Sequence, residues 1–543
     1  MTDTTLRQPP LGPDGAPTDA FHVYDTTLRD GTQGEGMTLS VTDKLTVARH
    51  LDDLGVGFIE GGWPGALPKD TEFFRRAQTE LDLRHATLTA FGATRRPGVK
   101  AADDPQVAAL REAVTPAVCL VAKAHERHVR TALRTTLEEN LAMVADTVTH
   151  LREEGRRVFL DAEHFFDGYA ANPAYAVEVV RVAAEAGAAV VVLCDTNGGM
   201  LPGQLADVVH EVLGASGARL GAHCHDDAAC AVANTLAAVD AGASHVQGTA
   251  NGYGERCGNA NLFSVVANLE LKKERAVLPA GRLAEMGRIS HAVAEVANVA
   301  PNPSQPYVGA SAFAHKAGLH ASAVKVAPEL YQHTDPELVG NDMRMLVSEM
   351  AGRASVELKG RELGYDLQGN RAALGEVVER VKDLESRGWS FEAADASFEL
   401  LLRDTLDGET RRHFTLESWR TIVERRADGA LDSEATVKLV AKGERIVATG
   451  EGNGPVNALD TALRTALERL YPELATLELV DYKVRILPGG HGTDAVTRVL
   501  VETGDGETEW STVGVHENVI EASWRALADA VTYGLLRAGR EPG

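Results

Sequence analysis

The sequence has few cysteines for its length, and none of them forms a CxxC pair. Among 543 residues there are five, widely scattered: Cys119, Cys194, Cys224, Cys230 and Cys257. An odd, scattered set in a long chain argues against a disulfide framework and is typical of reduced thiols. The sequence therefore predicts a cytoplasmic protein.

Positive charge and long apolar runs are also scarce. The chain has 54 Lys and Arg against 78 Asp and Glu, a formal net charge of −24. Nucleic-acid binding needs a basic face, so no nucleic-acid partner is expected. No apolar run reaches about 18 residues, so no membrane-spanning helix is expected. Residues 1–20 are polar and proline-rich, which predicts a disordered arm rather than a signal peptide.

The part from residue 21 to 275 alternates short β-rich runs with longer helical patterns, and we count eight units. Helical patterns include 43–54, 136–154 and 174–186. Eight alternations in about 250 residues predict an α/β fold, a (β/α)8 (TIM) barrel that forms the catalytic domain. A doubly wound open sheet is the rival, although no GxGxxG follows the first strand. The strands are predicted to end near Leu28, Trp63, Phe91, Ala122, Leu160, Cys194, His223 and Gly248.

Two regions of different character follow the predicted barrel. Residues 276–410 are mostly helical in pattern and form a linker region, with a proline-rich stretch ahead of 314–320. Residues 411–543 show a weak repeat, offset by about 64 residues, of strands followed by a helix. We therefore predict a duplicated α+β regulatory domain. The glycines of 450–454 are expected to form a loop whose backbone amides suit a carboxylate.

The clearest chemical motif is the end of the first strand, 24–33, where Arg29 and Asp30 precede a glycine. His223 and His225 stand two apart on a later strand, so both imidazoles face the same side. Together with Asp30 they form a two-histidine, one-carboxylate set that suits a divalent cation. An isolated HxH pair is more often structural, but here all three residues occur at strand ends.

Other polar residues follow strands at the same predicted mouth. They are Glu60, His125, His128, Glu163, Thr196 and the glycine-rich loop 251–259. Singly, each is more often a capping or surface residue, and the loop alone could be a plain turn. Convergence of polar groups from at least six strands is the stronger indication of an active site.

These motifs resemble the α-isopropylmalate synthase, homocitrate synthase and citramalate synthase family of metal-dependent barrel enzymes. The resemblance is carried by 25–33, 223–225 and 252–259 and extends from about residue 21 to the end. The isopropylmalate branch usually has Ser-Pro-Gly after the first motif, whereas this chain has Gly34-Glu35-Gly36. Together with 60–65, this departure makes the citramalate synthase branch the better match.

The resemblance implies a set of site residues. Metal ligands would be Asp30, His223, His225 and Asn259; catalytic residues would be Arg29, Glu163, His320 and Tyr331; substrate contacts would be Arg29, Gln33, Glu60, His128 and Thr196. His125 competes with His128 for its position. His320 and Tyr331 would come from the linker region, and His320 could act across a dimer.

The implied activity is an acyltransferase reaction in which acetyl-CoA condenses with pyruvate and CoA is released, as a step toward isoleucine. The resemblance also implies Mg²⁺ or Mn²⁺, a homodimer and isoleucine as feedback inhibitor. Three alternatives remain open: 2-isopropylmalate synthase acting on 2-oxoisovalerate, an acyl-CoA lyase, and an inactive amino-acid sensor. The C-terminal domain disfavours the lyase, and the retained Arg29, Asp30, His223 and His225 disfavour the sensor.

Overall fold

The computed structural model describes residues 19–408, 412–487 and 495–542. They form two compact units. The barrel unit ends at Phe313 and also includes Thr334–Asp342, and the C-terminal unit comprises Ala314–His333 and the chain from Met343 onward. Apart from its last two residues, the predicted N-terminal arm lies outside the described residues. Within the described ranges, no helix is long and apolar enough to cross a membrane.

Eight parallel strands close into a barrel, in which each strand pairs with the next and the last pairs with the first. This closure confirms the (β/α)8 prediction and excludes the open doubly wound sheet. The strands are β1 His22–Asp25, β2 Phe58–Glu60, β3 Thr87–Ala93, β4 Ala117–Lys123, β5 Arg157–Glu163, β6 Val190–Asp195, β7 Leu220–Cys224 and β8 His245–Gly248.

The helices of the barrel unit begin and end at residues that the local sequence favours. In the first, Ser40 and Asp43 form a capping box, and Gly55 ends the helix in the left-handed region at φ 93°. The three helices predicted by residue number agree with the structure within two residues. The full set is α1 Val41–Leu54, α2 Pro68–Glu80, α3 Pro105–Glu112, α4 Glu126–His128, α5 Leu137–Glu153, α6 Phe165–Ala171, α7 Pro173–Ala186, α8 Pro202–Ser216, α9 Ala231–Asp240, α10 Leu262–Leu271 and α11 Met286–Val296.

The first two strands end earlier than predicted, at Asp25 and Glu60 rather than near Leu28 and Trp63. The buried carboxylate of Asp25 accepts hydrogen bonds from the Thr27 backbone N–H and hydroxyl, both at 2.8 Å. Such a bond to the residue two positions on forms a turn, which competes with strand pairing. Arg29 and Asp30 therefore lie in a turn above β1.

The N-terminal end of the barrel is filled by rings. The rings of Phe58 and Phe159 meet edge to face with centroids 5.0 Å apart, and His22 and His245 join them through Nδ1 atoms 3.2 Å apart. A Cβ on Gly221 would lie 2.8 Å from the His245 ring, so β7 needs a glycine at this point. This packed base leaves the C-terminal end of the barrel for chemistry.

The first part of the C-terminal unit is mainly helical. It contains α12 Gly318–Val324, α13 Arg353–Glu362, α14 Arg371–Ser386 and α15 Asp395–Asp407, with a small parallel pair of β9 Ala314–His315 and β10 Arg344–Met345. A separate apolar core lies among α13, α14 and α15, with Phe391 and Phe398 at its centre. This agrees with the predicted helical linker region.

The second part of the C-terminal unit is duplicated, as the repeat predicts. Each copy is a three-stranded antiparallel sheet followed by a helix. One copy is β11 Phe414–Arg425, β12 Leu431–Ala441, β13 Glu444–Gly452 and α16 Pro455–Leu467; the other is β14 Glu478–Ile486, β15 Thr497–Gly504, β16 Glu509–His516 and α17 Val519–Arg537.

The glycines of the repeat have a packing role that the sequence analysis did not assign. A Cβ on Gly450 would lie 2.4 Å from the Ala462 nitrogen, and one on Gly514 would lie 2.0 Å from the Ala522 oxygen. In both copies the glycine lets a helix approach its sheet closely. The expected loop at 450–454 is wrong for its first three residues, because β13 continues through Gly452 and pairs with β12.

Candidate active site

Arg29 is held in place by charged and aromatic groups from β2, from β3 and from the turn after β1. Its Nε donates to Glu60 Oε1 at 2.6 Å, and its Nη1 donates to Asp30 Oδ1 at 2.7 Å. The guanidinium carbon lies 3.9 Å above the centre of the Phe91 ring. Burial opposes its charge, but Asp30 and Glu60 raise the pKa of Arg29, so the cation persists at any working pH.

Glu60 is the last residue of β2. The side chain is fully buried, and besides Arg29 its carboxylate accepts hydrogen bonds from the Tyr24 and Thr26 hydroxyls. It does not line the cavity described below. In this geometry Glu60 positions Arg29, and its contact with substrate stays a prediction.

Asp30, His223 and His225 converge at the end of the barrel. The Nε2 atoms of His223 and His225 lie 3.3 and 3.5 Å from Asp30 Oδ2, and all three side chains are buried. Burial by itself raises the pKa of Asp30, but Arg29 and the two imidazoles hold it well below its usual range. The structure therefore brings these three predicted residues together as an anionic carboxylate between two imidazoles.

Asn259 is placed beside this cluster by the glycine-rich loop. It forms an isolated bridge with His225, and its Nδ2 donates to the Tyr253 carbonyl at 3.1 Å. A Cβ on Gly254, whose φ is 147°, would lie 2.4 Å from that Nδ2, so this position requires glycine. With its nitrogen engaged, the Asn259 amide keeps Oδ1 for another partner.

The buried atoms of this group fit a divalent cation. Asp30 Oδ2 and Asn259 Oδ1 are buried and have no hydrogen-bond partner among the described residues. Buried polar atoms without partners are costly, and a bound ion is one explanation for them. Two ligands about 2.1 Å from one ion, at right angles, lie about 3 Å apart, close to the separations seen here. Carboxylate, amide oxygen and imidazole groups are all known ligands of divalent cations.

His223 has a further contact deeper in the barrel. Its Nδ1 lies 2.8 Å from Gln247 Oε1, and Gln247 Nε2 donates to Asp161 Oδ1 at 3.0 Å. Burial and then the charge of Glu60 raise the pKa of Asp161 to about 6. The cluster is thus connected to a second layer of buried polar residues.

A cavity of about 610 Å³ opens above the cluster. Seven of the residues proposed for the site line it: Arg29, Asp30, Gln33, Glu163, Thr196, His223 and His225. Its apolar wall includes Trp63, Phe91, Val121, Leu133 and Met143. A cavity in which polar and charged groups converge beside an apolar wall is typical of a small-molecule site.

Thr196 and Glu163 project polar groups into this cavity. Thr196 Oγ1 accepts a hydrogen bond from the His164 backbone N–H at 2.9 Å, which leaves its own O–H free to donate to a ligand. Glu163 ends β5 and forms an ion pair with Lys123, which ends the neighbouring strand β4. Burial lowers the pKa of Lys123.

The two competing histidines after β4 stack on each other at the mouth. The rings of His125 and His128 lie 4.8 Å apart, and His128 also meets the ring of His164 at 4.2 Å. His125 Nδ1 accepts from the Arg127 backbone N–H, so His125 caps the short helix α4. Neither ring lines the cavity. Because His125 caps this helix, we retain His128 as the proposed substrate contact.

His320 and Tyr331 belong to the C-terminal unit, not to the barrel unit. Their rings stack with centroids 4.1 Å apart, and His320 lies in α12. Tyr331 is an exposed side chain. The two linker residues to which the resemblance assigns a catalytic role therefore contact each other within this unit.

Sequence reasoning missed Asp161 and Gln247. Asp161 shares a strand face with Glu163 two positions on, and Gln247 is paired with His223 between β8 and β7. A strand-face count could have found Asp161. Gln247 carried a weaker signal, a lone amide in the short, buried strand His245–Gly248.

Comparisons with known proteins agree with this arrangement. Residues 20–293 match the HMGL-like family, residues 307–388 a homocitrate synthase post-HMGL domain-like family, and residues 392–535 the LeuA allosteric (dimerisation) domain. A Streptomyces coelicolor protein named (R)-citramalate synthase is 70% identical over 524 residues, 96% of this chain and 98% of the relative.

Sequence identity is lower for relatives from other organisms. A Synechocystis protein with the same name is 48% identical, covering 94% of this chain and 96% of the relative. A probable 2-isopropylmalate synthase from Methanopyrus kandleri is 33% identical, covering 94% and 98%. The chain therefore belongs to the citramalate synthase branch of the α-isopropylmalate synthase and homocitrate synthase family.

Proposed function

We propose that this protein is an (R)-citramalate synthase, an acyltransferase that condenses acetyl-CoA with pyruvate and releases CoA. The observation that carries the proposal is the 70% identity, over nearly the whole chain, to a protein with that name. The convergence of Arg29, Asp30, His223 and His225 on one cavity gives the activity a physical basis.

The proposed metal ligands are Asp30, His223, His225 and Asn259. A Mg²⁺ or Mn²⁺ ion held there would act as a Lewis acid that polarises the carbonyl group of a 2-oxo acid. The Arg29 guanidinium, fixed by Glu60, stabilises negative charge as it develops on the 2-oxo oxygen. The Thr196 hydroxyl donates to the substrate carboxylate, and Gln33 and His128 are proposed as further substrate contacts at the mouth.

Carbon–carbon bond formation needs a base that removes a proton from the acetyl methyl group. The candidates are Glu163, which lines the cavity, and His320 with its stacked partner Tyr331. The methyl carbon then bonds to C2 of pyruvate, the oxygen at C2 takes up a proton, and water cleaves the thioester to release CoA. Loss of kcat in His320→Ala with pyruvate binding retained would support the histidine; an unchanged kcat would leave Glu163 as the base.

The C-terminal unit is proposed to regulate the barrel. The LeuA-type match over 392–535 supports binding of a branched-chain amino acid, for which we propose isoleucine, and assembly into a homodimer. Five free cysteines are consistent with the proposed cytoplasmic location. In this view the enzyme begins a route to isoleucine and is inhibited by its end product.

The activity is tested by measuring CoA release from acetyl-CoA with a panel of 2-oxo acids. We expect the highest kcat/KM with pyruvate. Extra methyl groups on a substrate change its binding energy only modestly, so strong discrimination requires that the apolar wall sterically exclude larger side chains. A higher kcat/KM with 2-oxoisovalerate would assign the protein to the isopropylmalate branch. CoA release that is independent of any 2-oxo acid would contradict a condensation.

A further inference from the structure

His223 differs from His225 because a polar side chain faces each of its two ring nitrogens. Its Nε2 faces Asp30, and its Nδ1 lies 2.8 Å from Gln247 Oε1. In a neutral imidazole only one nitrogen carries a proton, and the other offers a lone pair. Whatever fixes the proton on Nδ1 therefore keeps Nε2 free to act as a ligand.

The orientation of the Gln247 amide decides where that proton sits. Asp161 Oδ1 lies 3.0 Å from the Gln247 nitrogen, and a carboxylate only accepts hydrogen bonds. The amide nitrogen must therefore face Asp161, which turns Oε1 toward His223. Since Oε1 can only accept, the His223 proton belongs on Nδ1.

The barrel holds the hydrogen-bonded side chains of Asp161, Gln247 and His223 rigidly. Gln247 is fully buried, and Asp161 and His223 are only 4% and 5% exposed. Gln247 pairs directly with His223 in the β7–β8 ladder, whereas Asp161 reaches it from β5. Because the Gln247 side chain has no exposed surface, solvent offers its amide no competing partner in a flipped orientation.

We propose that Gln247, held by Asp161, is a positioning residue that fixes His223 as a metal ligand. The inference rests on the proposed function only in assuming that His223 binds a cation. It predicts that the amide governs metal affinity, although Gln247 does not line the cavity. Partners that orient ligating histidines typically change metal affinity by about 10–100-fold when they are removed.

The test is Mn²⁺ binding to the full-length protein, measured by electron paramagnetic resonance of free Mn²⁺ without substrates. Gln247→Leu keeps the side-chain volume and removes both hydrogen bonds, and we expect affinity to fall by about 10–100-fold. Thr89→Val is the matched control, because Thr89 is fully buried in the barrel and its hydroxyl contacts the Thr87 carbonyl. Its Mn²⁺ affinity should match that of the wild type.

A double variant tests the hydrogen-bond logic even if Gln247→Leu fails to fold. In Asp161→Asn/Gln247→Glu, the new amide donates to the new carboxylate, which still accepts from His223, and the pair keeps one negative charge. We expect its affinity to lie within about threefold of the wild type. Wild-type affinity in Gln247→Leu, or a loss above about tenfold in the double variant, would overturn the proposal. Failure of the wild type to bind Mn²⁺ would instead contradict the proposed metal function.

Discussion

At the scale of single residues, Arg29 is constrained by three neighbouring side chains. Two carboxylates and an aromatic face fix its guanidinium, and both carboxylates are themselves buried. A planar fork with several donors can meet two carboxylates at once, whereas an ammonium is a single compact charge. The arrangement therefore depends on arginine and not merely on a positive charge.

We expect Arg29→Lys to lower kcat by about 10²–10³-fold, because the donor to the developing oxyanion would be misplaced. Steady-state CoA release measures this directly. Arg49→Lys is the control, since Arg49 is an exposed residue that contacts the Glu80 carbonyl on the barrel surface. A kcat of Arg29→Lys close to that of the wild type would show that charge alone suffices.

The histidine pair at the base of the barrel predicts a dependence of stability on pH. Burial, followed by the charges of Arg219 and Arg157, lowers the pKa of His22 to about 3, and burial also lowers that of His245. The unfolded state takes up protons near pH 6.5 and the folded state does not, so stability is lost as pH falls from about 6.5.

Each buried histidine then costs up to about 1.4 kcal/mol per pH unit below that value. We expect the melting temperature of the barrel to fall by several degrees between about pH 7.5 and 5.5. His245→Asn should reduce this fall, and His210→Gln, on the surface of α8, should not change it. Equal falls in wild type and His245→Asn would assign the effect to other groups.

The residues of the site were predictable where one strand carries the pattern. His223 lies in β7 and His225 directly follows that strand, and Asp30 follows the first strand, so their meeting could be inferred. The Asp161–Gln247 contact could not, because it joins strands 86 positions apart across the interior. Glu60 was found as a polar strand end, but its buried role needed the positions of Tyr24 and Thr26.

At the scale of secondary-structure elements, glycines decide how closely elements approach. Gly450 and Gly514 occupy corresponding places in the two repeats, each against the backbone of the following helix. The sequence revealed the repeat through these glycines but suggested a loop. The strand assignment depends on pairing with β12, which is not visible in a local pattern.

We expect Gly450→Ala to destabilise the C-terminal unit by about 1–3 kcal/mol or more, because the added methyl would press on the α16 backbone. Gly454→Ala is the matched control, since a Cβ there would meet nothing within 4 Å. Hydrogen exchange of β12 and β13 peptides measures the difference. Equal protection in the two variants would contradict the close packing of helix on sheet.

At the scale of the whole molecule, the chain joins a catalytic barrel to a duplicated α+β module. The eight alternations and the repeat were sufficient to predict both architectures. The C-terminal unit includes Ala314–His333, and the barrel unit includes Thr334–Asp342. This division was not predictable, because it depends on packing between residues that are far apart in the sequence.

The proposed regulation predicts that isoleucine binds the full-length protein. Calorimetry should detect binding at millimolar isoleucine or below, with leucine and valine binding more weakly. Linkage requires that an inhibitor which weakens substrate binding be weakened by substrate to the same factor. No heat with any of the three amino acids would leave the C-terminal unit as a structural module.

We propose that the barrel forms a carbon–carbon bond between acetyl-CoA and pyruvate. The most direct measurement is carbon-13 NMR of a reaction with methyl-labelled acetyl-CoA, unlabelled pyruvate and Mn²⁺. We expect the label in the methylene carbon of 2-hydroxy-2-methylbutanedioate, with one CoA released per product molecule. Label found only in the methyl group of acetate would show simple thioester hydrolysis and no condensation.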